Sequence, residues 1–187
     1  MNSTAHQLIE DNLAILRQGR ELIDGVDVET YAEARADLGL SGLGPHVRHV
    51  TDFYLRFLSA FEGELEPGKT RRIDYDARER DPLTESSPDH AREVLARIVV
   101  GLRRLEPGME ACRLEVRGDD SEWIESNLRR ELLSLLGHTI HHYALMAVVV
   151  RASGGEPPAG FGVAPSTLRH WEEQGAAEAS AVSACAR

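Results

Sequence analysis

The sequence predicts an all-α fold, a bundle of four long helices in a single domain. Apolar residues recur at helical spacing in four segments, and only 5% of the 187 residues are aromatic although 42% are hydrophobic. Proline, glycine and capping residues stand at the ends of these segments. The length fits one domain with one core, which we place at residues 1–175. Residues 176–187 are rich in small side chains, and we expect a disordered tail there.

The first two predicted helices are amphipathic. Helix one covers residues 5–24 and stops before Gly25. A glycine-containing connector, with a short possible helix at residues 29–35, leads to helix two. This second helix begins near Pro45 and runs to about Glu62. It contains three of the four phenylalanines on one stripe, so we expect it to form part of the core.

A long polar segment, residues 64–86, separates helices two and three and is predicted to be a loop. Helix three begins after Ser87, a residue suited to cap it, and continues to Leu105. Helix four is the longest periodic segment, from about Ser121 to Ala152. Two minor elements complete the prediction: one short strand or extended edge over residues 112–117 and a short C-terminal helix over residues 165–169.

Charge and composition argue against several partners. The formal net charge of -10 and the pI near 5.3 disfavour nucleic acid and anionic membranes. The longest apolar run, residues 144–150, is far shorter than the roughly 20 residues of a membrane span, and no leader pattern is visible. Two distant cysteines indicate a reducing compartment, so we expect a cytoplasmic protein. Motifs of nucleotide-binding proteins, serine hydrolases and common zinc proteases do not occur.

Histidines are concentrated in two of the predicted helices. His138 and His142 are four residues apart, so they share one helical face and can approach one ion. Taken alone, such a pair is as typical of a solvated edge, or of core histidines bonded to backbone carbonyls, as it is of a metal site. A second cluster, His46 and His49, opens helix two. Because buried imidazoles without partners are unfavourable, the two clusters together favour a metal site.

Short motifs carry a resemblance to a known family. The fragment His49-Val50-Thr51-Asp52 resembles the His-x-x-Asp of the DinB/YfiT-like family, and residues 137–142 resemble the HxxxH of its fourth helix. Residues 74–78 and 161–168 are similar to an uncharacterised branch of that family. The resemblance covers about residues 5–152. It implies a four-helix bundle, often a homodimer, that binds a divalent ion through three histidines.

The resemblance also implies which histidines bind the ion. The matching ligands are His49, His138 and His142, with His46 and His141 as alternates, and His46 in place of His49 is the foremost alternative. Zinc or nickel is the ion expected first, while iron or manganese also suits imidazole ligands. Three histidines leave a coordination position open, and such an ion can lower the pKa of bound water or bind a thiol.

Four further side chains are candidates for chemistry near such an ion. Asp52 and Glu131 lie on helical faces similar to those of the ligands, where a carboxylate could orient an imidazole or take a proton. Each is more commonly a surface or capping carboxylate. Tyr75 and Arg78 lie in an arginine-rich stretch that could bind an anionic substrate group. The alternative for this stretch is a solvated run in which arginines pair with neighbouring acids.

The sequence therefore supports two functions. The first is a metal-dependent enzyme, a hydrolase or thiol S-transferase, in which water or a low-molecular-weight thiol attacks a small electrophile. The second is a non-catalytic metal-binding or dimerising helical module. The residue patterns leave the choice between them open.

Overall fold

Helices make up most of the described part of this protein. The computed structural model describes residues 4–34, 39, 41–63, 68–105, 109, 112–118 and 122–185. The helices of this described part are α1 Thr4–Asp24, α2 Val28–Ala32, α3 Leu43–Ser59, α4 Pro82–Ser86, α5 Pro88–Arg103, α6 Leu128–Ala152 and α7 Pro165–Cys185. Its strands are β1 Arg71–Asp74, β2 Leu114–Arg117 and β3 Ile124–Ser126.

The core lies between α1, α3, α5 and α6. Both α1 and α3 pack against α5 and α6. Each helix contributes side chains that are at most 1% exposed, such as Ile15, Phe57, Ile98 and Leu132. Burying one such side chain contributes about 1.5–3 kcal/mol, so the apolar stripes hold the helices together. The mostly helical class that the sequence predicts is confirmed.

Two helix starts show how local chemistry sets the boundaries. At α5, the Ser87 side chain accepts a hydrogen bond from the His90 backbone N–H (3.2 Å), as the predicted cap requires. The predicted start of helix four near Ser121 is wrong, because α6 begins only at Leu128. The Asn127 side chain caps it by accepting from the Arg130 N–H (3.0 Å). The residues just before, Ile124–Ser126, are extended in a strand.

A small sheet departs from the predicted all-α fold. Strand β2 pairs with β1 in parallel and with β3 antiparallel, so that Leu114 lies opposite both Arg71 and Ser126. The predicted short strand at residues 112–117 is present as β2. Strand β1 lies in the segment predicted to be a loop. Strands of three or four residues are too short for a clear alternation, and their pairing depends on residues distant in sequence.

The remaining elements refine the predicted boundaries. Helix α3 begins two residues before Pro45 and ends at Ser59, and α4 interrupts the predicted loop. Helix α2 overlaps the predicted 29–35 segment but begins one residue earlier, at Val28, and ends at Ala32. Residue 35 of that segment lies outside the described residues. Helix α7 is longer than the predicted short helix. Side chains from residue 176 onward lie outside the described part of the chain, so the disorder of 176–187 stays a prediction.

Helix α6 combines length with apolar composition. It meets the length and hydropathy criteria for crossing a membrane, with a mean hydropathy of 1.4 over its most apolar window. In the fold, 44% of that window is buried, and α6 packs against α1 and α3. A core helix of a soluble protein has the same properties, so this observation is weak support for a membrane span.

Candidate metal centre

Three histidine side chains meet where α3 crosses α6. His49 comes from α3, and His138 and His142 come from one face of α6. One ring nitrogen of each lies within 4.8 Å of the corresponding nitrogens of the other two. The ring centroids of His49 are 4.9 Å from that of His138 and 4.6 Å from that of His142, and the latter two are 4.6 Å apart. The structure thus brings the three predicted ligands together.

Burial keeps these imidazoles neutral. It lowers the pKa of His138 to about 4, with smaller contributions from neighbouring histidines and from the Arg78 charge. Burial likewise lowers the pKa of His142 to about 3, and it lowers the pKa of His49 together with the Arg78 and Arg48 charges. Neutral imidazole has the free lone pair that a metal ion needs. The cluster is therefore in its metal-binding protonation state at neutral pH.

The donor set fits a divalent cation. The Nδ1 atom of His138 is buried and has no hydrogen-bond partner among the described residues. An orphaned buried nitrogen costs about 1–3 kcal/mol, which a ligand at this position can offset. Nitrogens bound to one tetrahedral zinc ion lie about 3.4 Å apart, given bond lengths of about 2.0–2.1 Å. Ring nitrogens within 4.8 Å of one another reach that spacing by small side-chain rotations.

The two alternate histidines have other positions. His46 lies on α3 one turn before His49, and its Nδ1 atom is 3.0 Å from Nδ1 of His142. It stands outside the group of three nitrogens. The His141 side chain is exposed, and its ring centroid is 5.2 Å from that of His142. Hence the structure places His49, not His46 or His141, with the other two.

Phe53 is a site residue that the sequence analysis assigned only to the apolar stripe. It lies one turn after His49, and its ring centroid is 5.0 Å from that of His49 and 4.3 Å from that of His138. Tyr75 stacks on it at 5.2 Å, and the Arg78 guanidinium lies 4.3 Å from its centroid. The spacing of four residues from His49 on one helical face was the available signal.

Glu131 occupies a structural junction at the start of α6. It is 2% exposed, and it accepts hydrogen bonds from the Tyr75 hydroxyl (2.8 Å), from Arg130 (2.9 Å) and from the Ser126 hydroxyl. These contacts connect β3 and the segment after β1 to α6. They engage both the Glu131 carboxylate and the Tyr75 hydroxyl, so neither group is free for a substrate in this arrangement.

Asp52 and Arg78 border a charged cavity. Asp52 is 6% exposed, and burial raises its pKa, while the charges of Arg48 and Arg78 act in the opposite direction. Arg78 donates a hydrogen bond to the Tyr75 carbonyl oxygen. Both side chains line a cavity of about 260 Å³. This cavity offers a carboxylate whose pKa is raised and a guanidinium whose charge acts on His49 and His138.

A second, smaller cavity of about 100 Å³ adjoins His138. Its lining includes Phe53, Tyr75 and Leu135, with Ser134 as the polar member. The volume is smaller than the 150 Å³ or so of an engineered cavity that holds benzene. The cavity therefore has room for a group of only a few carbon atoms.

The arginine-rich stretch is not a self-paired charge run. Arg72 pairs with Glu115 (2.9 Å) and Asp74 pairs with Arg117, both across the β1–β2 pair. Arg71 is buried and donates to the Ala60 carbonyl oxygen (2.7 Å). These residues stabilise the sheet and its contact with α3. Arg78 differs from them, because its charge acts on His49 and His138.

Comparison with known proteins gives little additional information. No family model matches the chain. The chain is similar to the FK506-binding protein 5 of Rhizopus delemar, with 28% identity over 121 residues, which cover 60% of this chain and 31% of that protein. The chain thus spans less than a third of that relative's length. The match is too partial to show a family.

Proposed function

We propose that this protein binds one divalent metal ion through His49, His138 and His142. The observation that carries the proposal is the convergence of three ring nitrogens within 4.8 Å on neutral, half-buried imidazoles. The orphaned Nδ1 atom of His138 supports it, because no group in the described part of the chain forms a hydrogen bond with that atom. Zinc or nickel is the proposed ion, and iron or manganese is a further possibility that imidazole ligands allow.

We further propose that the chain is a DinB/YfiT-like four-helix bundle. Support comes from the packing of α1 and α3 against α5 and α6, and from one histidine on α3 with two on α6. That arrangement agrees with the resemblance of the residue 49–52 and 137–142 motifs. A homodimer and a cytoplasmic location belong to the same proposal. Sedimentation of the purified chain and fractionation of its host cells test these two points.

The proposed activity is that of a hydrolase or thiol S-transferase. A bound ion supplies Lewis acidity, which favours deprotonation of water or of a low-molecular-weight thiol at neutral pH. The buried Asp52 carboxylate, whose pKa is raised, accepts a proton from such a nucleophile. Arg78 binds an anionic group of the substrate. Glu131 and the Tyr75 hydroxyl support the site structurally through their mutual hydrogen bond.

The cavities limit the proposed substrate. The 100 Å³ cavity beside His138 takes a small apolar group, and the larger charged cavity beside Asp52 and Arg78 takes a polar or anionic group. A small electrophile with both kinds of group fits this arrangement best. The substrate KM of Arg78→Ala and Arg78→Lys distinguishes two ways of binding the anionic group: through paired N–H donors of the guanidinium, or through positive charge alone.

The first experiment measures metal content. Untagged protein, reconstituted with zinc or nickel and then desalted, is analysed for metal beside His49→Ala, His142→Ala and His170→Ala. We expect about one ion per chain in the wild type and in His170→Ala, whose histidine is exposed on α7, and none in the other two variants. A wild type that holds no ion would contradict the proposal.

Turnover assays separate the enzyme from the alternative. The alternative function is a non-catalytic metal-binding or dimerising module, which the small volume of the cavity beside His138 favours. If the protein is the proposed enzyme, the metal-bound water exchanges with solvent. Turnover is then detected in hydrolysis or thiol-transfer assays, and it falls when Asp52 is replaced. A bound ion with no exchangeable water and no turnover with a broad set of electrophiles would favour the module.

A further inference from the structure

His46 makes a direct contact with one proposed ligand. Its Nδ1 atom lies 3.0 Å from Nδ1 of His142, within hydrogen-bond distance. Its other ring nitrogen, Nε2, lies 3.4 Å from the Ser41 hydroxyl oxygen. Because both atoms of this short contact are ring nitrogens, one of them carries a proton and donates the hydrogen bond, and the other accepts that hydrogen bond.

The chemistry of a metal-bound imidazole decides the direction of this hydrogen bond. A histidine ligand binds the ion through one ring nitrogen and carries a proton on the other, which it donates to a neighbouring acceptor. We propose that His46 is a positioning residue that accepts a hydrogen bond from Nδ1–H of His142 and thereby directs Nε2 of His142 to the ion. This inference rests on the proposed metal site.

The same direction assigns the tautomer of His46. When Nδ1 of His46 accepts, the neutral ring of His46 carries its proton on Nε2. That N–H faces the Ser41 hydroxyl oxygen, which can accept a hydrogen bond from it. The chain of contacts from His142 through His46 to Ser41 then has a donor and an acceptor at every step. Helix α3 would supply both a ligand, His49, and the residue that orients a ligand on α6.

Zinc affinity, measured by competition with a chelator, tests the role of His46. His46→Leu puts an apolar side chain of moderate size in place of the imidazole and so removes the acceptor. We therefore expect about 10–100-fold weaker zinc binding. His46→Asn places a carbonyl oxygen near the position of Nδ1 and should restore most of the affinity. His141→Leu is the matched control, because the ring centroid of His141 is also 5.2 Å from that of His142 and no such hydrogen bond joins them. That variant should bind zinc as the wild type does.

The outcomes separate this inference from the proposed function. If the wild type binds no zinc, the metal site fails and the role of His46 fails with it. If the wild type binds zinc and His46→Leu binds it equally well, the metal site stands and the inference is wrong. The visible spectrum of the cobalt(II) form is the second readout. A lower coordination number in His46→Leu would make His46 a ligand and overturn its positioning role.

A measurement on the wild type removes any dependence on the folding of the variants. Nitrogen-15 NMR of the zinc-loaded protein reports which ring nitrogen of each histidine is protonated. We expect His142 to carry its proton on Nδ1 and His46 to carry its proton on Nε2. Zinc bound at Nδ1 of His142, or a proton on Nδ1 of His46, would overturn the assignment.

Discussion

Two polar clusters lie side by side where α3 meets α6, one of them also including a residue of α1, and they differ in how their hydrogen bonds are satisfied. The core cluster consists of Asn12, Tyr54 and Thr139, all fully buried. The Tyr54 hydroxyl donates to Asn12 Oδ1 (2.6 Å), and the Thr139 hydroxyl lies 3.3 Å from the Tyr54 oxygen. The Asn12 amide donates to the backbone carbonyls of Leu8 (2.7 Å) and Leu132 (3.0 Å). This cluster is complete without any ligand.

The histidine cluster begins one residue away, at His138, and it is incomplete. The Nδ1 atom of His138 has no partner within the residues that the structure describes, although it is as inaccessible to water as the atoms of the core cluster. Buried polar groups are almost always hydrogen-bonded, so an atom without a partner needs an explanation, and the proposed metal ion supplies one. Two neighbouring residues on one helix, Thr139 and His138, thus serve different purposes. One fixes the helices, and the other belongs to the proposed metal site.

Removal of the Asn12 side chain from the core cluster should give the largest change in stability. Asn12→Ala leaves the buried Tyr54 hydroxyl without its acceptor and removes two donated hydrogen bonds, so we expect the free energy of unfolding to fall by about 3 kcal/mol. Urea denaturation measures the loss. Glu10→Ala, an exposed position on the same helix, is the control and should change little. A loss below about 1 kcal/mol in Asn12→Ala would show that the cluster is not important for stability.

Zinc should stabilise the protein through the histidine cluster alone. At a free zinc concentration of about 100 times Kd, binding to the folded state adds about 2.7 kcal/mol to the free energy of unfolding. We expect this increment in the wild type and in Asn12→Ala, and no increment in His138→Ala. Urea denaturation with and without zinc gives the comparison. An increment that survives in His138→Ala would place the binding site elsewhere.

The contrast between the clusters also shows what the sequence can and cannot predict. Helices α1, α3, α5 and α6 follow from apolar periodicity, and the Ser87 cap follows from local chemistry, because both depend on residues close in sequence. The spacing of His138 and His142 fixes their shared face for the same reason. The choice between His46 and His49 differs, since residues three apart on a helix lie on similar faces. Only the crossing of α3 and α6 decides which of them joins the group of three.

Contacts between distant segments account for what the sequence could not predict. The sheet needs β1 to pair with β2 about 40 residues later in the chain, and neither strand has a decisive pattern of its own. Glu131 looked like a possible proton acceptor because of its helical face. Its role at the start of α6 comes from Tyr75, which is 56 residues away in sequence. The aromatic contact of Phe53 with His138 likewise required the packing of α3 on α6.

A smaller effect is expected at the Glu131 junction. Glu131→Gln keeps the size of the side chain and removes the charge that Arg130 and the Tyr75 and Ser126 hydroxyls contact, so stability should fall by about 1.5 kcal/mol. Zinc affinity should stay within about twofold of the wild type, because the contacts of Glu131 lie outside the histidine cluster. A large loss of zinc affinity at unchanged stability would show that Glu131 contributes to the metal site itself rather than to the structure around it.

The smallest predicted effect is a difference in pH dependence between the clusters. In the metal-free protein the pKa values of His138 and His142 are about 4 and about 3, below the ordinary 6.5 that applies to the unfolded chain. Between these values the unfolded chain binds more protons than the folded one, so stability falls as the pH is lowered through 6.5. Solvent screening of partly exposed rings limits the loss to under about 1 kcal/mol between about pH 7 and pH 5.

The core cluster should contribute nothing to this slope. Asparagine and threonine do not titrate, and burial raises the pKa of Tyr54, so its ionisation lies far above this range. Tyr54→Phe should therefore lose stability equally at every pH, whereas the double variant His138→Ala/His142→Ala should show a flatter profile than the wild type. Urea denaturation in the presence of a chelator measures both. Equal slopes in the wild type and the double variant would mean that these imidazoles are not held neutral by the fold, and the electrostatic difference between the two clusters would disappear.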